Sequence, residues 1–307
     1  MTATDGRVAI VTGAVSGIGE ELSRGLVAKG WRIAGLDLEA QSPAADELSK
    51  ELGEHFIFIA TDVSRYTEVA GAFSKTFGKW GRIDAFCSNA GFIDKSSIYL
   101  LNSRGSKELP PEPDLASTDV MYKGLVYGTQ LAVHFMRQNP TPGGFIVATS
   151  SICGLYPMAS LPEYSGAKAA IIGFVRATAP LLKLVSAVPG LQEALEDNNE
   201  QRDNITINAI CPGVVPTRNI PQFMRDMFGS ESLTPKSTIL AGYLKFFDDP
   251  SLNGKIIEAS RDQLLFQEMP PYADGDYSKR SSTVFDPLFE MVHGQPSQLE
   301  DIVKPLA

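Results

Sequence analysis

The 307-residue chain is 43% hydrophobic and 21% charged, the balance of a globular protein with a large core, not of a disordered, collagenous or membrane chain. Its 27 Lys and Arg against 36 Asp and Glu leave a net charge of −9, the wrong sign for a surface that tracks phosphates, so no nucleic-acid partner is expected. Three cysteines (Cys87, Cys153, Cys211) and three histidines (His55, His134, His293) lie far apart, which gives neither a disulfide framework nor a metal site and points to a reducing, cytoplasmic setting.

The first element is the short apolar run Val8–Thr12, read as a strand because it is too brief for a signal-peptide core. It feeds the turn Thr12-Gly13-Ala14-Val15-Ser16-Gly17-Ile18-Gly19 and a helical pattern over 19–29. Strands then follow at Arg32–Asp37, 55–61, 83–88, 145–149, 205–211 and 255–259. Helical patterns fall between them at 44–52, 67–77, 117–138, 163–185 and 236–247. Strands with nearly unalternated apolar interiors, separated by helices, imply a parallel sheet covered on both faces. The expected fold is one doubly wound, Rossmann-type α/β domain with a seven-stranded, mainly parallel sheet over residues 1–266.

Three segments stand outside this repeat. Residues 94–113 read as a long loop, 189–204 as a polar helical insertion, and 267–307 as an irregular tail with at most one short helix near 287–292 and no domain of its own. No stretch reaches about 18 uninterrupted apolar residues, and the richest, 169–185, is broken by Arg176, Pro180 and Lys183. A membrane span is therefore not expected.

The glycine turn lets the backbone bend tightly and approach a pyrophosphate at a helix N-terminus. Asp37 ends the second strand 18 residues beyond Gly19, where a carboxylate reaches a ribose diol and repels the extra phosphate of NADP. NAD is the expected cofactor. Tyr164 and Lys168 are four residues apart, on one face of a helix. An ammonium beside a phenol favours the phenolate, so Tyr164 is a candidate general base. Ser151, 13 residues before the tyrosine, can hydrogen-bond a substrate oxygen. Taken singly, Asp37 could cap a turn, Ser151 could be a turn residue and Tyr164 a half-buried aromatic. Their order along one chain favours the chemical reading.

Together these motifs resemble the short-chain dehydrogenase/reductase family over residues 5–260. The resemblance implies cofactor contacts from Thr12, Gly13, Ser16, Gly17, Ile18, Gly19 and Asp37, and adenine contacts from Asp62-Val63. Asn89, Ala90 and Gly91 of Ser88-Asn89-Ala90-Gly91 would steady the sheet, and Pro212-Gly213 with Val215 and Thr217 would hold the nicotinamide. It makes Ser151, Tyr164 and Lys168 the catalytic set, with Tyr164 and Lys168 also touching cofactor. One departure is Met121, standing where the family has an Asn credited with a water-mediated proton relay to the lysine. A thioether cannot replace an amide. The family's relay water is usually held by that residue's main-chain carbonyl, which any residue supplies if the helix is locally distorted.

Gly154-Leu155-Tyr156-Pro157-Met158-Ala159, Leu252-Asn253-Gly254-Lys255-Ile256-Ile257 and Phe266-Gln267 are similar to the NAD-dependent 15-hydroxyprostaglandin dehydrogenase-like branch. Apolar residues flank the catalytic set: Cys153, Leu155, Tyr156, Met158 and Leu161 before the tyrosine, then Ile220, Phe223, Met224, Met227 and Phe228. The second group has helical spacing and reads equally as core packing or as a lid. An NAD-dependent oxidoreductase interconverting a secondary alcohol and a ketone on a hydrophobic small molecule is the expected function. A biosynthetic ketone reductase is the alternative, and a non-catalytic dinucleotide-binding scaffold is a third reading for which Met121 is the hint. The family likeness also implies a homodimer or homotetramer paired through the helices at 117–138 and 163–185.

Overall fold

The computed structural model describes residues 6–184, 204–217, 220, 222–297, 299 and 302–303. Seven strands pair in parallel: β1 (Val8–Thr12), β2 (Arg32–Asp37), β3 (Phe56–Ala60), β4 (Ala85–Ser88), β5 (Gly144–Thr149), β6 (Ile205–Pro212) and β7 (Ile256–Ser260). An eighth, β8 (Gln263–Gln267), runs antiparallel to β7, and the sheet order is β3-β2-β1-β4-β5-β6-β7-β8. The seven-stranded expectation thus lacks one edge hairpin. Its residues show no strand-like alternation and are mostly exposed, so periodicity gave no signal there.

Every residue of β1 and of β6 is buried, because both faces of the sheet are covered. One face carries α3 (Tyr66–Trp80), α5 (Gly124–Met136) and α7 (Pro162–Leu184), whose Phe73, Leu125, Ile171 and Val175 pack on Ile10, Leu36, Phe86 and Ile146. The other carries α1 (Gly17–Val27), α2 (Ser42–Leu52) and α9 (Lys236–Asp248), with Leu22, Leu48, Tyr243 and Phe246 against Val11, Ile33, Val147 and Ile210. Neighbouring strand residues thus point to opposite layers, as Ile10 and Val11 do, which is the two-residue period of a strand.

The helix expected over 117–138 is three pieces: α4 (Ala116–Thr118), a π-helical turn at Asp119–Lys123 and α5. A short α6 (Ile152–Leu155) follows β5, and α8 (Gln222–Phe228) precedes α9. The tail departs from expectation, since it holds two helices, α10 (Gly275–Ser282) and α11 (Asp286–His293). Apart from Asn204, the segment 189–204 lies outside the described residues. Among the described residues no helix is long and apolar enough to cross a membrane.

Strand order reverses direction between β1 and β4, and the crevice beyond the carboxyl ends of strands at such a switch is where open α/β sheets bind ligands. Close helix-to-sheet approach next to that crevice depends on Gly128, where an added Cβ would run into the Phe86 ring. A Gly128→Ala variant is expected to lose about 1–3 kcal/mol of stability through overpacking, read as a lower urea midpoint with an unchanged denaturant slope. An unchanged midpoint would mean that the ring simply moves aside.

Candidate active site

The turn between β1 and α1 is built for close approach. Gly13 and Gly17 have φ of +64° and +55°, conformations that favour glycine. A Cβ on Gly19 would collide with the Gly13 carbonyl and lie 2.9 Å from Asn89 Nδ2. Ser16 occupies the cap position of α1 without making a side-chain cap hydrogen bond, which leaves the N–H groups of the first turn without a cap from that side chain. This cradle suits a pyrophosphate. Asp37, at the end of β2, accepts from Val15 N at 3.4 Å and from Leu38 N at 2.9 Å, so the carboxylate is held beside the turn. Burial raises its pKa, and the two backbone N–H groups oppose that rise.

A hydrogen-bond network fixes the strand ends around this turn. Thr12 Oγ1 accepts from Asn89 N and Ala90 N at 2.9 and 3.0 Å, and Asn89 Nδ2 donates to Thr12 O at 3.0 Å. Thr149 Oγ1 donates to Asn89 Oδ1 at 3.1 Å and shares a 2.7 Å hydrogen bond with the Tyr243 hydroxyl. Ends of β1, β4 and β5 are thereby tied to α9. Asp62 behaves differently: its carboxylate accepts from Ser64 N and Ser64 Oγ at 2.9 and 2.7 Å, shaping its own turn.

A cavity of about 310 Å³ opens at the carboxyl ends of these strands. It brings together the catalytic candidates Ser151, Tyr164 and Lys168 with Gly13, Ser16, Gly17 and Ile18 of the turn. Asn89, Ala90 and Gly91 form one wall, and Pro212, Gly213, Val215 and Thr217 another. Thr12, Gly19, Asp37, Asp62 and Val63 do not line it; Thr12 and Gly19 act behind the wall, and Val63 is buried with its carbonyl 3.2 Å from a Cβ placed on Gly124. Thr217 crosses the turn, its Cγ2 3.0 Å from a Cβ placed on Gly17. Arg225 of α8, which no motif singles out, donates to Thr217 O at 2.7 Å and to Ile220 O at 3.0 Å.

Ser151 sits at the amino end of α6, its Oγ accepting from Cys153 N at 3.1 Å. Lys168 is 3% exposed, and its ammonium donates to Thr149 O at 2.6 Å. Burial pushes its pKa down to about 8. Tyr164 is half-buried. Burial pushes its phenol above the ordinary value, and the Ser151 side-chain hydrogen bond pulls it back only in part. The phenol thus stands above its ordinary value even though an ammonium shares its helix face: Nζ lies 5.5 Å from the Tyr164 ring centroid and donates to the Thr149 carbonyl. That carbonyl is a functional group the sequence could not reveal, since every residue has one.

Met121 lies in the π turn and is 1% exposed. Its Sδ is 3.0 Å from a Cβ placed on Gly91, and Lys168 Nζ is 3.6 Å from that same point. Gly124 N donates to Asp119 O, a π-type bond that shifts the carbonyl register where the relay residue stands. On the substrate side Ile220, Phe92 and Ile93 line the cavity. Tyr156, Phe223 and Met227 are exposed, at 59%, 63% and 81%, so Phe223 and Met227 are not core residues. Cys153 is buried and Leu155 packs against the core; Met224 falls outside the described side chains. Among the described residues no group of three His, Cys, Asp or Glu could hold a metal.

Comparison with known proteins places the chain in a family. The family model described as short chain dehydrogenase matches residues 7–184. A relative named short-chain dehydrogenase/reductase prx6, from Penicillium rubens, is 43% identical over 98% of this chain and 98% of its own. The human protein named 15-hydroxyprostaglandin dehydrogenase [NAD(+)] is 28% identical over 83% of this chain and 91% of its own. A solved 3-ketoacyl-(acyl-carrier-protein) reductase from Brucella melitensis, complexed with NADH, superposes with a TM-score of 0.66 at 20% identity, covering 85% of this chain and all of that one.

The depressed lysine pKa has a measurable sign. Below pH 8 the group is protonated in both the folded and unfolded chain and the folded state carries the full burial penalty. As pH rises from about 8 towards the ordinary 10.5, the penalty disappears, because only the unfolded chain still binds the proton. A Lys168→Met variant is therefore expected to unfold roughly 2–4 °C or more above the wild type near pH 7, with the gain shrinking towards pH 10. A gain that is the same at both pH values would show that the lysine is not desolvated.

Proposed function

The chain belongs to the short-chain dehydrogenase/reductase family, oxidoreductases that act on CH–OH groups, and from that premise we propose that it interconverts a secondary alcohol and a ketone on a hydrophobic small molecule with NAD. The observation that carries this reading is the gathering of Ser151, Tyr164 and Lys168 into the same cavity as the glycine turn. The residues present fit a dinucleotide. Bare glycine backbone and the amino end of α1 suit its pyrophosphate, Asp37 its ribose hydroxyls, and the segment from Pro212 to Thr217 its nicotinamide end. When bound, the nicotinamide supplies the hydride acceptor or donor and, in its oxidised form, a positive charge.

The chain's own groups handle the substrate oxygen and its proton. Ser151 donates to that oxygen and stabilises the negative charge that develops on it. Tyr164 takes the hydroxyl proton in oxidation and returns one to the carbonyl oxygen in reduction. Lys168, ammonium below about pH 8, favours the phenolate through its field and not through a direct bond. Met121 supplies an apolar wall beside Gly91, and the π turn supports a proton relay through main-chain carbonyls in place of an amide side chain. The apolar side chains that line the cavity, Phe92, Ile93, Val215 and Ile220, suit a hydrophobic substrate. The NAD-named relatives and the carboxylate of Asp37 both favour NAD over NADP.

Two measurements test this. Tyr164→Phe should bind NADH within about twofold of wild type while turnover falls by at least about 10²-fold, the scale of general acid–base catalysis; undiminished turnover on a panel of apolar alcohols and ketones would remove the tyrosine from the mechanism. In fluorescence titrations the wild type should bind NADH more tightly than NADPH, and Asp37→Ala should reduce that ratio by roughly tenfold, the scale of a lost charge contact. A wild-type preference for NADPH would reverse the role given to Asp37.

A further inference from the structure

A helix leaves its first N–H groups without intrahelical acceptors, and the side chain of the residue just before it ordinarily accepts from the second and third helical positions. In α7 that preceding residue is Leu161, which has no side-chain acceptor. Pro162, the first helical residue, has no N–H to satisfy. Ser165 N donates to Leu161 O at 2.9 Å. Two donors remain, those of Glu163 and of Tyr164 itself. Both go to one carboxylate from a remote loop: Glu163 N donates to Asp94 Oδ2 at 3.0 Å and Tyr164 N to Asp94 Oδ1 at 2.8 Å.

We propose that Asp94 is a positioning residue that caps the helix bearing Tyr164 in place of the missing local cap, and so holds the tyrosine in register with Ser151 and the substrate wall. This rests on the reading of Tyr164 as the general base. A carboxylate is the group that can accept both bonds at once, and its charge also suits the positive end of the helix dipole. The loop that carries it is itself moored. Ser117 Oγ donates to Phe92 O at 2.7 Å, and the Tyr99 hydroxyl donates to Ala159 O at 2.7 Å, just ahead of the helix. Glu163 in turn accepts from Thr118 N and Thr118 Oγ1, both at 2.9 Å. Phe92 and Ile93, the two residues before the cap, line the cavity. The wall that meets substrate and the base that takes its proton are therefore joined through one side chain.

The test compares Asp94→Ala and Asp94→Asn with wild type in the full-length protein, with Leu109→Ser, a substitution at a 95% exposed site in the same loop, as a control. In Asp94→Ala, kcat should fall by roughly tenfold, the scale of a lost helix cap, while NADH affinity stays within about twofold. Amide hydrogen exchange at Glu163 and Tyr164 should quicken in the same variant. Asp94→Asn keeps one acceptor oxygen and should recover part of both the turnover and the protection; Leu109→Ser should change neither. Unchanged exchange at the two amides overturns the cap. A fall in kcat matched by an equal loss of NADH affinity and a lower thermal midpoint overturns the positioning role in favour of general destabilisation. If the wild type itself turns over no apolar alcohol or ketone, the functional reading fails instead, and amide protection alone decides whether Asp94 caps the helix.

Discussion

An ammonium group taken almost wholly out of water must find an acceptor, because an unpaired buried charge costs several kcal/mol. Lys168 finds the carbonyl of Thr149, 2.6 Å away, and the arrangement of the site follows from that contact. Thr149 also reaches Asn89 and Tyr243 through its hydroxyl, and Ser150 Oγ donates back to the Lys168 carbonyl at 2.7 Å. The end of β5 and the amino-terminal third of α7 are thus locked in two directions. Tyr164, one turn earlier on α7, then faces Ser151, one residue beyond Ser150. The proposed catalytic set is less a cluster of three side chains than a consequence of how one helix is fastened to one strand end.

The same burial governs the protons. It moves the lysine towards neutrality and the phenol away from ionisation, so the two groups are pushed towards their neutral forms together. Of the chain's own groups, Ser151 opposes this for the tyrosine. For Tyr164 to serve as the proposed base near neutral pH a further positive charge is needed, and an oxidised nicotinamide would bring one.

The strands and the order of motifs were legible because they rest on side-chain type and spacing. A buried parallel strand reads as an apolar run, a glycine turn as glycines, and a tyrosine four before a lysine as a helical face. What escaped was carried by backbone or by tertiary contact. Thr149 acts through its carbonyl, and the π turn at Asp119–Lys123 is a hydrogen-bond register that no residue type announces, although the sequence did mark Met121 as the place where main chain would have to serve. Asp94 opens a polar loop that looked like a simple excursion, and its role emerges only when the unfilled cap at Leu161 is brought beside it. The β8 hairpin and the second tail helix, α10, were missed for a related reason: their residues are mostly exposed, and α10 has only Tyr277 among polar and charged residues to mark a face.

The proposed mechanism makes Tyr164 a half-buried phenol whose ionisation depends on bound cofactor. The direct measurement is its own titration, taken as tyrosinate absorbance of the wild type minus that of Tyr164→Phe across alkaline pH, with and without saturating NAD. Cofactor-dependent ionisation sets the midpoint above the ordinary value of about 10 in the free protein and shifts it clearly downward when NAD is bound. A midpoint already near neutrality without cofactor, or one that NAD leaves unmoved, would contradict it.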